Sequence, residues 1–121
     1  MATMTFSKST HILNWPGFGS WTAVSGGWGE PLPTGMYTVE RRKVTGYTKS
    51  IGKGFRDETG KGYFVPLTPH FSTIRTGIGI HPDGNVPGTQ GCIGIKNSAN
   101  TFYNAIASTS PSARITLQAI D

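Results

Sequence analysis

The chain has one cysteine, few charged residues and no long apolar run. A single cysteine, Cys92, excludes an intrachain disulfide, and no Cys/His cluster has zinc-ligand spacing. Neither a metal nor a cofactor is expected. Acids are scarcer than bases, with six Asp and Glu against eleven Lys and Arg, for a net charge of +5. No apolar stretch approaches the ~18–20 residues of a membrane-spanning helix. The first ten residues lack the basic-then-apolar order of a Sec signal peptide. The expectation is a protein made in the cytoplasm that reaches any site outside it by another route. At 121 residues the chain is one domain.

Glycine, proline and aromatic residues are plentiful. Gly 17 and Pro 8 make up about a fifth of the sequence. That is high for a helical bundle but below the ~25–30% that marks disorder. Three Trp, four Tyr and six Phe supply apolar bulk for a core. The composition excludes a coiled coil or a collagen-like chain and favours a turn-rich, mainly β domain. Short alternating runs between turn signals predict strands at 4–7, 11–14, 20–24, 36–41, 63–65, 78–81, 92–95 and 115–119. Helical spacing is clear only over 98–108, where Phe102, Ala105 and Ile106 share a face.

The charge is unevenly placed. Arg41, Arg42, Lys43, Lys49, Lys53, Arg56 and Lys61 fall in one stretch, opposed by Asp57 and Glu58. Residues 42–62 are also polar and Gly-rich, and read as a long hairpin or a flap. Two readings of the charge stand: an anionic partner, or a solvated edge protected from aggregation. Tyr47, Phe55 and Tyr63 interleave with these cations, an arrangement able to stack single-stranded nucleic acid.

Turn chemistry is densest from Arg75 to Asn97. His81-Pro82-Asp83-Gly84 suits a type I turn, and Val86-Pro87-Gly88-Thr89 a type II turn. Two Ile-Gly-Ile triplets, 78–80 and 93–95, flank the loop. If they pair, His81 and Cys92 meet. A thiol needs a base or a positive field to become nucleophilic, and a neighbouring imidazolium would hold Cys92 as thiolate below neutrality. Gly91 lets the backbone approach a ligand, so N–H groups at Gly91 and Cys92 are candidates for an oxyanion hole. The competing reading is a buried structural cysteine beside a turn histidine.

The run His81-Pro-Asp-Gly followed by Thr89-Gln90-Gly91-Cys92-Ile93 resembles the signature of the L,D-transpeptidase (YkuD-like) family. Leu32-Pro33-Thr34-Gly35-Met36-Tyr37-Thr38-Val39 is similar to that family's P-x-G-x-Y/F-x-V/I strand. The form IHPDG…GTxGCIGI, with Val24-Ser25-Gly26-Gly27, resembles a short branch among type VI secretion effectors that attack peptidoglycan. The resemblance implies a β-sandwich or barrel with one or two short helices, Cys92 as nucleophile and His81 as general base. Gln90 stands where the larger family has histidine, and Gly94 where it has the carboxylate-binding arginine. Arg75 is the candidate substitute.

Arg75, Asp83, Gln90 and Ser25 are thus the candidates for substrate contact, and Asp83 is either an orienter of His81 or a turn residue. His70 is read as a strand-end or surface histidine and His11 as structural. Trp15, Trp21 and Trp28 are core or groove residues. The implied activity is an L,D-carboxypeptidase or L,D-transpeptidase exchange on peptidoglycan stem peptides through a thioester. The expected protein is a monomer working in the periplasm or cell wall as a secreted effector or phage lytic enzyme, without nucleic acid as partner. An effector would also pair with a cognate immunity protein. The alternative is a non-catalytic basic β module that binds cell wall or nucleic acid.

Overall fold

The structure, a computed structural model, describes residues 3–26, 30–83 and 91–121. Eight strands form a closed barrel: β1 (Met4–Ser7), β2 (Ile12–Trp15), β3 (Gly19–Val24), β4 (Gly35–Val39), β5 (Val65–Pro69), β6 (Gly79–Pro82), β7 (Ile93–Ile95) and β8 (Ile115–Ile120). Around the barrel the order is β1-β2-β3-β7-β6-β5-β4-β8. The pairs β1–β8 and β6–β7 are parallel and the others antiparallel. The one α-helix among the described residues, α1 (Ala99–Ser108), packs beside β3.

Period-two alternation explains six of the strands. Met4 and Phe6, Leu13 and Trp15, Trp21 and Ala23, Tyr37 and Val39, Val65 and Leu67, and Ile115, Leu117 and Ala119 all point inward and are buried. Each such large side chain contributes about 1.5–3 kcal/mol. Helix α1 adds Phe102 and Ile106, and Phe102 meets Trp21 edge to face at 5.1 Å. Trp15 and Trp21 are therefore core residues, while Trp28 lies outside the described residues.

β6 and β7 do not alternate: every residue of both strands is buried. Ile80, Ile93 and Ile95 belong to the core. The register pairs Ile80 with Ile93 and His81 with Gly94, so His81, Gly79 and Gly94 share the outer face. A second layer covers that face. A Cβ on Gly79 would sit 2.4 Å from the Phe64 ring and 2.7 Å from the Val65 carbonyl. The glycine of the first Ile-Gly-Ile triplet is the space that layer needs.

Four expectations change. The fifth strand runs Val65–Pro69 rather than 63–65, because Pro66 and Pro69 sit where only their carbonyls are required; Pro66 O accepts the Glu40 amide at 2.9 Å. Segment 42–62 forms no regular strand pair among the described residues. Short 3-10 turns occupy Arg41–Lys43 and Lys53–Phe55, and the only bridges are Thr48–Gly62 and Arg56–Gly62. His81 and Pro82 do not open a type I turn but stay in β6, and the Asp83 amide extends the ladder to Ile95 O at 2.9 Å. His11 is an exposed turn residue at φ +59°, not part of an apolar strand. The expected Val86–Thr89 turn lies outside the described residues.

Candidate active site

Strands β6 and β7 run parallel, and Cys92 stands immediately ahead of Ile93 at the start of β7. By the register, Cys92 stands level with Gly79, two residues along the ladder from His81 and on the same outer face. The Ile-Gly-Ile triplets thus pair, and bring the thiol and the imidazole to one patch.

His81 is only 4% exposed. Phe55 meets its ring edge-on at 4.5 Å between centroids, and Phe64 lies nearly parallel to it at 6.1 Å. Nδ1 lies 2.6 Å from the Pro82 carbonyl oxygen. A carbonyl only accepts, so Nδ1 carries the proton and Nε2 keeps its lone pair. Burial lowers the His81 pKa below the usual imidazole value, offset in part by the Pro82 hydrogen bond and the charge of Asp83.

The Cys92 thiol donates to the Gly77 carbonyl at 3.4 Å. Burial raises its pKa, while a hydrogen bond from the Gly79 backbone favours the thiolate. Both shifts favour uncharged forms. These directions run against the thiolate–imidazolium pair expected from the sequence. Burial is the largest cause of each shift.

Gly91 has φ +114°, and a Cβ there would lie 2.3 Å from Arg75 Nη1. Conformation and space both require glycine. Arg75 Nη1 donates to the carbonyls of Glu30 at 3.0 Å and Pro31 at 3.2 Å, and Nη2 lies 3.8 Å from the Glu30 carboxylate. That carboxylate is 90% exposed. The guanidinium is thus fixed against the residue before Cys92, with an easily displaced counter-ion.

The remaining candidates are placed elsewhere. The Asp83 carboxylate is buried and pairs with Lys96 at 3.2 Å, so Pro82 rather than Asp83 orients His81. Ser25 Oγ accepts the Leu32 amide at 2.8 Å, which ties the exit of β3 to the chain before β4. Gln90 lies outside the described residues. His70 is exposed at the end of β5, with Nε2 2.7 Å from Thr38 Oγ1. Among the described residues no group of acids, histidines and cysteine could hold a metal. The aromatics of the basic segment turn inward: Tyr63 is fully buried, Tyr47 stacks on Tyr103 at 5.5 Å, and Phe55 covers His81. They offer no stacking platform for nucleic acid.

Residues 2–113 match the YkuD family, the L,D-transpeptidase catalytic domain. The chain belongs to that family. No curated protein matches the sequence. Among solved structures, L,D-transpeptidase 1 of Mycobacterium tuberculosis superposes with a TM-score of 0.59 at 18% identity, over 99% of this chain and 59% of that one. Bd1075 of Bdellovibrio bacteriovorus gives 0.61 at 12% identity, over 97% of this chain and 46% of that one. The chain therefore spans about half the length of the structures it resembles, and at these identities the likeness is one of fold. The YkuD barrel expected from the motifs is the fold observed.

Four residues of the site escaped sequence reasoning. Phe64 and Gly77 carried no signal. Glu30 and Lys96 are isolated charges whose partners, Arg75 and Asp83, come from distant parts of the chain. Phe55 was noticed for the wrong chemistry.

Proposed function

We propose that the chain is a cysteine-dependent enzyme of peptidoglycan stem peptides, acting as an L,D-carboxypeptidase or exchanging terminal residues. The observation that carries this reading is Cys92 at the mouth of β7, on the face of a histidine whose Nδ1 is pinned so that Nε2 is the base. In this scheme Nε2 takes the thiol proton as sulfur attacks the carbonyl of the third stem residue. Backbone N–H groups at Gly91 and Cys92 are the candidates to hold the oxyanion. Collapse expels the terminal D-alanine, whose amine takes the proton from the imidazolium, and a thioester remains. Water releases a shortened stem, while an incoming amine gives the exchanged or cross-linked product. Arg75 takes the carboxylate of the departing residue, exchanging the exposed Glu30 for substrate. On this reading the protein acts where peptidoglycan lies, in the periplasm or cell wall.

The test is mass spectrometry of defined tetrapeptide muropeptides after incubation, with and without a free D-amino acid. Loss of D-alanine, or its replacement by the added residue, is expected from the wild type and not from Cys92→Ala. Equal turnover by Cys92→Ala would remove the thiol from the mechanism.

A further inference from the structure

Across the barrel from Cys92 lies a second concave surface that this chemistry does not use. It is a cleft of about 460 Å³ where β4 runs into the Arg41–Lys43 turn and β8 begins. Arg41, Arg42, Lys43 and Arg114 line it, with Glu40 as the one carboxylate. Glu40 is turned aside, its Oε2 accepting from Thr68 Oγ1 at 2.6 Å. Among the described residues no carboxylate forms a salt bridge with any of the four cations. Three of these cations come from the basic stretch noted in the sequence, and the fold adds Arg114.

The four are not equivalent. Arg42, Lys43 and Arg114 are exposed. Arg41 is held at the C-terminal end of α1, where Nε donates to Thr109 Oγ1 at 2.9 Å and Nη2 to Thr109 O at 3.0 Å. Those bonds use two of its five N–H donors. The cleft therefore combines one preset guanidinium with three adaptable cations, and their mutual repulsion is relieved only by an anion.

The lining also discriminates among anions. No aromatic ring lines the cleft, so a nucleobase finds nothing to stack on. None of the exposed large apolar residues, Ile12, Phe18, Ile74 and Ile120, belongs to it, so it lacks the anchors of a bilayer surface. Hydroxyls and aliphatic carbons complete the floor, among them Thr38, Thr116, Val39 and Ile115. That combination suits a flexible polymer of short polyol units joined by phosphodiesters.

We propose that this cleft binds an anionic wall polymer of that kind and holds the enzyme on the wall while the opposite face processes stem peptides. Naming the polymer a wall component rests on the function proposed above, whereas binding of the polyanion does not. The test titrates the full chain with poly(glycerol phosphate) at low and physiological salt. Log K should fall linearly with log salt, by about 0.7 per phosphate neutralised, the value for single-stranded polyanions. Replacing Arg42, Lys43 and Arg114 together by Ala should weaken low-salt binding by roughly 10–100-fold and flatten the slope. Arg42→Lys with Arg114→Lys should retain binding. Turnover of a soluble muropeptide should stay at the wild-type rate in the triple variant. Cys92→Ala should bind the polymer like the wild type, so a failed stem-peptide assay leaves this result standing. Undiminished binding by the triple variant overturns the proposal. So does tighter binding of single-stranded DNA of equal charge, or of anionic phospholipid vesicles.

Discussion

The two opposite walls of the barrel use the same strand geometry for different ends. On the β4–β8 wall the inner residues are buried and the outer ones are partly or fully exposed, and the cations Arg41, Arg42, Lys43 and Arg114 gather at the strand ends. On the β6–β7 wall both faces are covered; the outer face carries an imidazole whose pKa burial lowers, and Cys92, half-buried just ahead of β7, has a thiol pKa that burial raises. The covering layer makes the difference. Phe64 reaches the outer face because Gly79 presents no side chain, and Phe55 meets the His81 ring beside it.

The comparison breaks most sharply at His81. His81→Ala should lower turnover by about 10²–10⁴-fold, as loss of a general base does. Circular dichroism establishes that the barrel persists, and Arg114→Ala on the opposite wall should be silent in the same assay. Next in size is Arg75→Ala. Losing a charge-assisted contact with substrate should raise KM by roughly 10–100-fold, with a smaller change in kcat. An unchanged KM would take the substrate carboxylate away from Arg75. Gly79→Ala should cost about 1–3 kcal/mol in denaturant unfolding, because the new methyl meets the Val65 carbonyl as well as the Phe64 ring. Arg114→Ala should stay within about 0.5 kcal/mol.

The smallest effects are those of pH. His81 has a lowered pKa, so the fold favours its neutral form. That contribution is complete above the ordinary imidazole value of 6.5 and is lost as pH falls below it. Cys92 has a raised pKa, so its contribution is complete below the ordinary thiol value of 9.0 and is lost as pH rises through the folded value. Stability should therefore be flat across neutrality and fall at both ends, with His81→Gln lacking the acid arm. Iodoacetamide should modify Cys92 slowly at pH 6 and faster only in the alkaline range. Rapid alkylation at pH 6 would restore the ion pair expected from the sequence.

Much of this wall was legible in the sequence. Alternation marked the strands, and the Ile-Gly-Ile triplets marked the two that carry the site. Local alternation leaves the closure of the barrel open, because β1 pairs with β8 across nearly the whole chain, and the expectation of a barrel rested on the family resemblance alone. Segment 42–62 misled for a related reason. Its glycines and lysines describe a loop, but Tyr47 and Phe55 anchor it through Tyr103 and His81, which lie far away in sequence. The direction of the two pKa shifts was hidden too, since proximity argues for charge and burial argues against it.

The most direct measurement is the intact mass of the protein after brief exposure to a tetrapeptide muropeptide. The wild type should gain the mass of the stem less its terminal D-alanine, as a thioester that hydroxylamine removes and peptide mapping assigns to Cys92. His81→Ala should acquire that mass far more slowly, and Cys92→Ala not at all. An adduct on Cys92→Ala, or one that forms at the wild-type rate without His81, would contradict the account.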